Sequence, residues 1–236
     1  MGVNVDTVYQ RVLAILNKEQ RGYLTPQNFN LFANQVQLDI LESYFYDLET
    51  FLNMPGNDTS HADIVNILET KIAKFEDETG LAHSTGTNNV YPLPTDCYRL
   101  TNVLYQNNIV QRVSKKNLRY ILISPLAKPS DSLPVFIEER QGVVIYGDAV
   151  FSDASKDADV SVDYIRTPSN VVWGYTTVLG SAQYNASTST NFDLDPSEET
   201  DIVIKILALA GVEVKAVDIQ NFAANSEARE GQQETR

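Results

Sequence analysis

Two histidines, one cysteine and a short acidic run are the residues of this 236-residue chain whose types could do chemistry. His61 follows Ser60 and precedes Ala62-Asp63, so the ingredients of a Ser–His–Asp relay lie together in sequence. A working relay needs its base in hydrogen-bond reach of the nucleophile and a third group orienting it. Ser60 and Asp63 instead stand where a helix start wants an N-cap and a first-turn acid. His83 lies in a polar stretch without a second ligand at metal spacing. Cys97 has Asp96 and Arg99 nearby but no histidine, which reads as a partly buried strand thiol rather than a nucleophile. Asp193, Asp195, Glu198, Glu199 and Asp201 could wrap a cation, but they lack EF-hand spacing and Pro196 interrupts them. The order Asp195-Pro196-Ser197-Glu198 is that of a helix start, with a cap, a first-turn proline and a capping-box glutamate. The chain has no Walker A loop and no GxSxG, GxGxxG or HExxH motif. The expectation is a non-enzyme with no catalytic residue, no cofactor and no metal.

Charge narrows the partners. With 18 basic against 31 acidic side chains the net charge is -13, which repels nucleic acid and anionic lipid at long range. The one basic cluster, Arg112 to Arg119 with Lys115 and Lys116, could touch phosphate but equally suits an exposed turn between strands. No stretch approaches the ~18 apolar residues that span a bilayer, so no membrane partner is expected. Met1 to Asp6 has no basic n-region, which predicts no signal peptide, and the sequons at Asn57 and Asn185 are expected unmodified.

The elements that must position these residues change character along the chain. Val8, Val12, Ile15 and Leu16 predict a helix over Val5 to Glu19. Thr25-Pro26 opens a second, running to Leu52 and ended by Met54-Pro55-Gly56. Its apolar positions, Phe29 to Phe51, cover so much of the circumference that it should pack on more than one side. A third starts near Ser60 and stops at Gly80. From about 90 the period becomes two, with strands expected around Tyr98–Tyr105, Tyr120–Ile123, Val135–Glu138, Val143–Tyr146 and Val160–Ile165. Pro168 to Asn191 reads as a long loop or hairpin tip. Ile202, Val203, Ile206, Leu209, Ala210 and Val214 make a last helix. Ser226 to Arg236 holds no large apolar residue and should not order itself. The fold class is α+β, a discontinuous bundle of three N-terminal helices and one C-terminal helix with an inserted antiparallel β domain. The predicted segments are 1–85 and 193–225 for the bundle, 86–192 for the insert and 226–236 for an arm.

That order of elements resembles the head-to-tail adaptor, or tail tubular protein A, of short-tailed phages. Leu93-Pro94-Thr95-Asp96-Cys97-Tyr98-Arg99-Leu100 resembles the family's entry into its β insertion, and Tyr164-Ile165-Arg166-Thr167-Pro168 its exit. Phe192 to Glu199 resembles the start of its final helix. Val8 to Val12, Asn17 to Pro26 and Phe29-Asn30 are similar to structural proteins of crAss-like phages. The resemblance implies a virion protein at the head–tail junction, forming a dodecameric ring between the portal protein and a downstream tail protein. DNA would pass through this ring without specific binding. It implies a portal-binding arm carrying Phe222, Arg229 and Arg236, inter-subunit packing by Phe29, Phe32, Phe45 and Phe51, and a tail-contact loop carrying Trp173, Tyr175 and Tyr184. The alternatives are another tail ring or head-completion protein, and, further off, a small-molecule binding module or enzyme.

Overall fold

The structure, a computed structural model, describes residues 2–18, 24–53, 59–82, 90–140, 142–148, 159–178 and 180–213. The chain divides into two units. One is built from Met1–Ile72 together with Pro168–Arg236, the other from Ala73–Thr167. The fold is α+β.

In the first unit, Asn4 caps helix α1 (Val5–Lys18). Its Oδ1 accepts from the Asp6 and Thr7 amides at 2.8 and 3.2 Å, satisfying donors the helix leaves unpaired. Val5, Val8, Val12 and Leu16 recur every three or four residues and are wholly buried. Helix α2 (Pro26–Asn53) begins where Thr25 Oγ1 accepts from the Asn28 amide at 3.3 Å. It buries Phe29, Ala33, Val36, Ile40, Leu41 and Tyr44. Helix α3 (Thr59–Ile72) packs on α2.

The chain then departs from the sequence expectation. α3 stops at Ile72, and after a 3-10 turn residues Glu76–Gly80 form strand β1 rather than a last helical turn ending at Gly80. Four acidic or small residues in five are poor strand formers, but β1 pairs antiparallel with the well-patterned β8 (Val160–Arg166), and that pairing decides. β8 also pairs with β3 (Cys97–Tyr105), which pairs with β4 (Asn108–Ile109), giving the order β1-β8-β3-β4. Gln106 and Asn107 both take positive φ, the requirement of a two-residue type I′ turn between β3 and β4. A second sheet has the order β2-β7-β6-β5, from Val90–Tyr91, Gly142–Tyr146, Val135–Glu139 and Gln111–Arg112. Its β5–β6 pair is parallel, so the insert is not purely antiparallel. Gly142 sits at φ +143°, and a Cβ there would lie 2.0 Å from the Tyr91 carbonyl oxygen, so only glycine lets β7 approach β2 this closely.

Strict alternation sorts the second sheet's side chains. Tyr91, Phe136, Val143 and Ile145 join Val103, Tyr105, Val160, Val162 and Tyr164 of the first sheet in one core, so the sheets form a sandwich. Val90, Val135, Ile137 and Val144 point the other way and receive Leu118. Leu118 belongs to helix α4 (Lys115–Ile123), capped by Ser114. This corrects two expectations, because Lys115 and Lys116 lie in a helical first turn and Tyr120–Ile123 is not a strand. The module therefore has three layers: first sheet, second sheet, helix.

The chain re-enters the first unit at Pro168, so the insert spans 73–167 where 86–192 was expected. Strands β9 (Tyr175–Val178) and β10 (Ser181–Tyr184) form a hairpin, and helix α5 (Glu199–Glu213) completes the bundle against α1 and α2. Its buried face is Ile202, Val203, Ile206, Leu207 and Ala210. No helix among the described residues is long and apolar enough to cross a membrane.

Candidate interaction surfaces

The segment expected as a long loop or hairpin tip carries the β9–β10 hairpin, and the chain leading into it is held by the side of a helix. Asn30, Asn34 and Gln37 project from α2 toward the extended chain at 169–173. Asn34 accepts from the Val171 amide at 2.8 Å and donates to the Val171 carbonyl at 2.9 Å. Asn30 accepts from the Trp173 amide at 2.8 Å, and Gln37 donates to the Ser169 carbonyl at 2.9 Å. The carboxamides thus act as a neighbouring strand would. The match has a geometric cause: two residues of extended chain advance about 6.6 Å, and four residues of helix about 6 Å. Gln37, the longer side chain, covers the shorter three-residue step. Gln37 also accepts from the Asp193 amide at 3.0 Å, while Asp193 accepts from the Ser169 amide at 2.8 Å, which closes the base of the excursion.

Aromatic packing adds to this clamp. Trp173 is buried, 4.3 Å from the Tyr9 ring, and its indole donates to Asp6 at 3.0 Å. Tyr175 and Tyr184 each lie 5.8 Å from Trp173, and Tyr9 meets Phe29 edge-on. Trp173 is therefore the anchor of the hairpin and not an exposed contact, which corrects its expected role. Tyr175 is half-buried and Tyr184 is 37% exposed. Phe29 is corrected likewise, because it is wholly buried in its own unit. Phe32, Phe45 and Phe51 are half-buried. Phe222, Arg229 and Arg236 lie outside the described residues.

Four of the five acids in the run have structural tasks, Asp193 among them as a clamp on Ser169. Asp195 accepts from the Ser197 amide at 3.0 Å, capping the 3-10 turn that leads into α5. Glu199 pairs with Arg11 at 3.0 Å. Glu198 does not close a capping box. Its carboxylate is buried and takes Lys71 of α3 at 2.5 Å. Among the described residues no group of acids, histidines or cysteine could hold a metal. The Cys97 thiol is pushed up by burial, with Asp96 and Glu138 adding, the direction away from a reactive thiolate.

Beside Glu198, the buried Tyr44 hydroxyl meets the carboxylate without a well-formed hydrogen bond. Burial first, then the Glu198 carboxylate, pushes its pKa upward. The sign follows: a phenol harder to ionise in the folded chain contributes stability present below the unfolded value, about 10, and lost as pH rises past it. Tyr44→Phe should therefore move the alkaline unfolding midpoint to higher pH in a circular-dichroism titration. At neutral pH it should change stability by no more than about 1.5 kcal/mol, since at most a poorly formed hydrogen bond to Glu198 is removed.

Three surfaces remain. On α2, Leu31, Leu38, Phe45 and Leu52 recur every seventh residue along one flank of the helix, with Leu31 69% and Leu52 62% exposed and Phe45 half-buried. On α4, Lys116, Arg119, Tyr120 and Ile123 share the face opposite Leu118, and Lys115, Lys116, Arg119, Tyr120 and Ile123 line one groove. On the first sheet, Glu76, Glu78 and Asp163 border an open groove with Asn102. No protein-family model and no curated protein sequence matches the chain.

Proposed function

We propose that the chain is a structural virion protein, a head-to-tail adaptor that forms a ring between a phage portal and its tail, through which DNA passes unbound. The observation that carries this reading is the α2 stripe. A 28-residue helix, about 40 Å long, uses one side for its own core and leaves Leu31, Leu38 and Leu52 exposed in a seven-residue row that the half-buried Phe45 continues. A seven-residue apolar repeat is the spacing at which one helix packs along another. Solvent alone gives no reason for such a row, and a neighbouring copy in a closed ring does. The net charge of -13 suits a conduit to which DNA should not adhere.

Mixing the purified chain with a portal ring tests this directly. Co-migration as a ring complex is expected, and association solely with downstream tail proteins would favour a lower ring instead. Leu31→Glu combined with Leu52→Glu should abolish ring assembly while leaving the monomer's melting temperature within a few degrees of the parent, since both side chains are mostly exposed. Rings that still assemble from this variant would show that the stripe faces no neighbour.

A further inference from the structure

The β module carries opposite charge on its opposite outer layers, and we infer that these are the two halves of one contact: the α4 face of one copy docks on the β1–β8 face of the next. This rests on the ring reading and names a second surface through which the ring closes. The α4 face is unusual for exposed helix surface. Lys116, Arg119, Tyr120 and Ile123 lie at i, i+3, i+4 and i+7, with Tyr120 68% and Ile123 81% exposed. Lys116 stands in the first helical turn, where the helix dipole disfavours a cation, so local stability does not explain its placement. Lys115 is spoken for by Glu139 at 2.8 Å, but Lys116 and Arg119 have no ion pair among the described residues.

The far layer is its complement. Glu78 stands directly opposite Asp163 across the β1–β8 ladder, and Glu76 lies two residues along on the same face. Like charges in register repel. The partners present are weak and neutral: Ser161 donates to Glu78 at 3.1 Å and Asn102 to Asp163 at 3.4 Å. An arriving cation relieves that repulsion. The two layers lie on opposite sides of the sandwich, since one sheet turns its inner face to the other and α4 covers the second sheet's outer face. A contact joining opposite sides of identical modules is head-to-tail, the kind that closes into rings. Nucleic acid is the other candidate for a basic face, but a chain of net charge -13 repels it.

Sedimentation of the full chain at low and high salt tests this, with folding checked by circular dichroism. Self-association that weakens with salt is expected. Lys116→Glu with Arg119→Glu, and separately Glu78→Lys with Asp163→Lys, should each weaken it about a hundredfold, because each juxtaposes like charges. Mixing the two variants should restore assembly as an alternating complex. Ile123→Ser, which changes no charge, should weaken association at every salt concentration. A monomeric parent at low salt, folded variants that assemble undiminished, a mixture that fails to recover, or a DNA duplex held on the α4 face in place of a second copy would each overturn the contact. Portal-bound rings that form equally from both variants would overturn it and leave the adaptor reading standing. Absence of the chain from virions would remove the adaptor reading but not a contact seen in sedimentation.

Discussion

Lys71→Met should lower stability by about 3–5 kcal/mol, the cost of leaving a buried carboxylate without its cation. Glu198 is 5% exposed and Lys71 holds it at 2.5 Å, so water cannot substitute fully for the lost ammonium. Lys71 also stands 5.3 Å from the Tyr44 ring centre, and after Lys205 it offsets part of the upward push that burial gives the Asp47 carboxyl. Several neighbours therefore lose by its removal. The partner substitution separates charge from packing. Lys71→Met with Glu198→Leu removes both charges and should recover most of the loss, because a desolvated pair contributes little net stability compared with apolar side chains of similar size. Urea denaturation of the parent, both single variants and the double variant measures the coupling. Additive losses would mean that the two side chains act separately.

Asn34→Ala should cost about 2–4 kcal/mol. It removes three hydrogen bonds below 3 Å, one to the Asn30 carbonyl and two that leave the Val171 amide and carbonyl, both part-buried, without partners. Asn30→Ala should cost less, since the bond from Asn30 to the Trp173 carbonyl is long at 3.4 Å. The chain's single tryptophan reports the outcome. Trp173 lies in the segment that Asn34 holds, so loosening it should shift its emission to longer wavelength before global unfolding. A melting temperature and emission equal to the parent's would show that backbone packing alone secures 169–173.

These two sites mark what a linear reading can reach. The helix starts were legible because they depend on local chemistry: Thr25-Pro26 and Asp195-Pro196 act within one turn. The strands β6, β7 and β8 were legible because burial imposes a period of two. Glu198 misled because its spacing from Asp195 suits a capping box, while its partner, Lys71, is remote in sequence. Asn30, Asn34 and Gln37 were overlooked because a polar helical residue is ordinarily solvated. Their i, i+4, i+7 spacing along the edge of an apolar stripe was the available sign. Helix α4 was missed because Tyr120-Ile121-Leu122-Ile123 has strand composition. The competing signal was Ser114, which accepts from the Asn117 amide at 3.3 Å. β1 could not be read locally at all, since its partner strand among the described residues, β8, lies about 80 residues further along the chain.

Because the bundle is closed by an element from the far side of the insert, the order of synthesis matters. Helices α1 to α3 leave the ribosome with the face destined for α5 uncovered, and α5 follows roughly 130 residues later. At about 5–20 residues per second that is a delay of some 6–26 s. The β module, contiguous from 73 to 167, is complete before this wait ends. Nascent chains should therefore acquire a protease-resistant middle before a resistant beginning, and the waiting N-terminal helices are where a chaperone would find apolar surface.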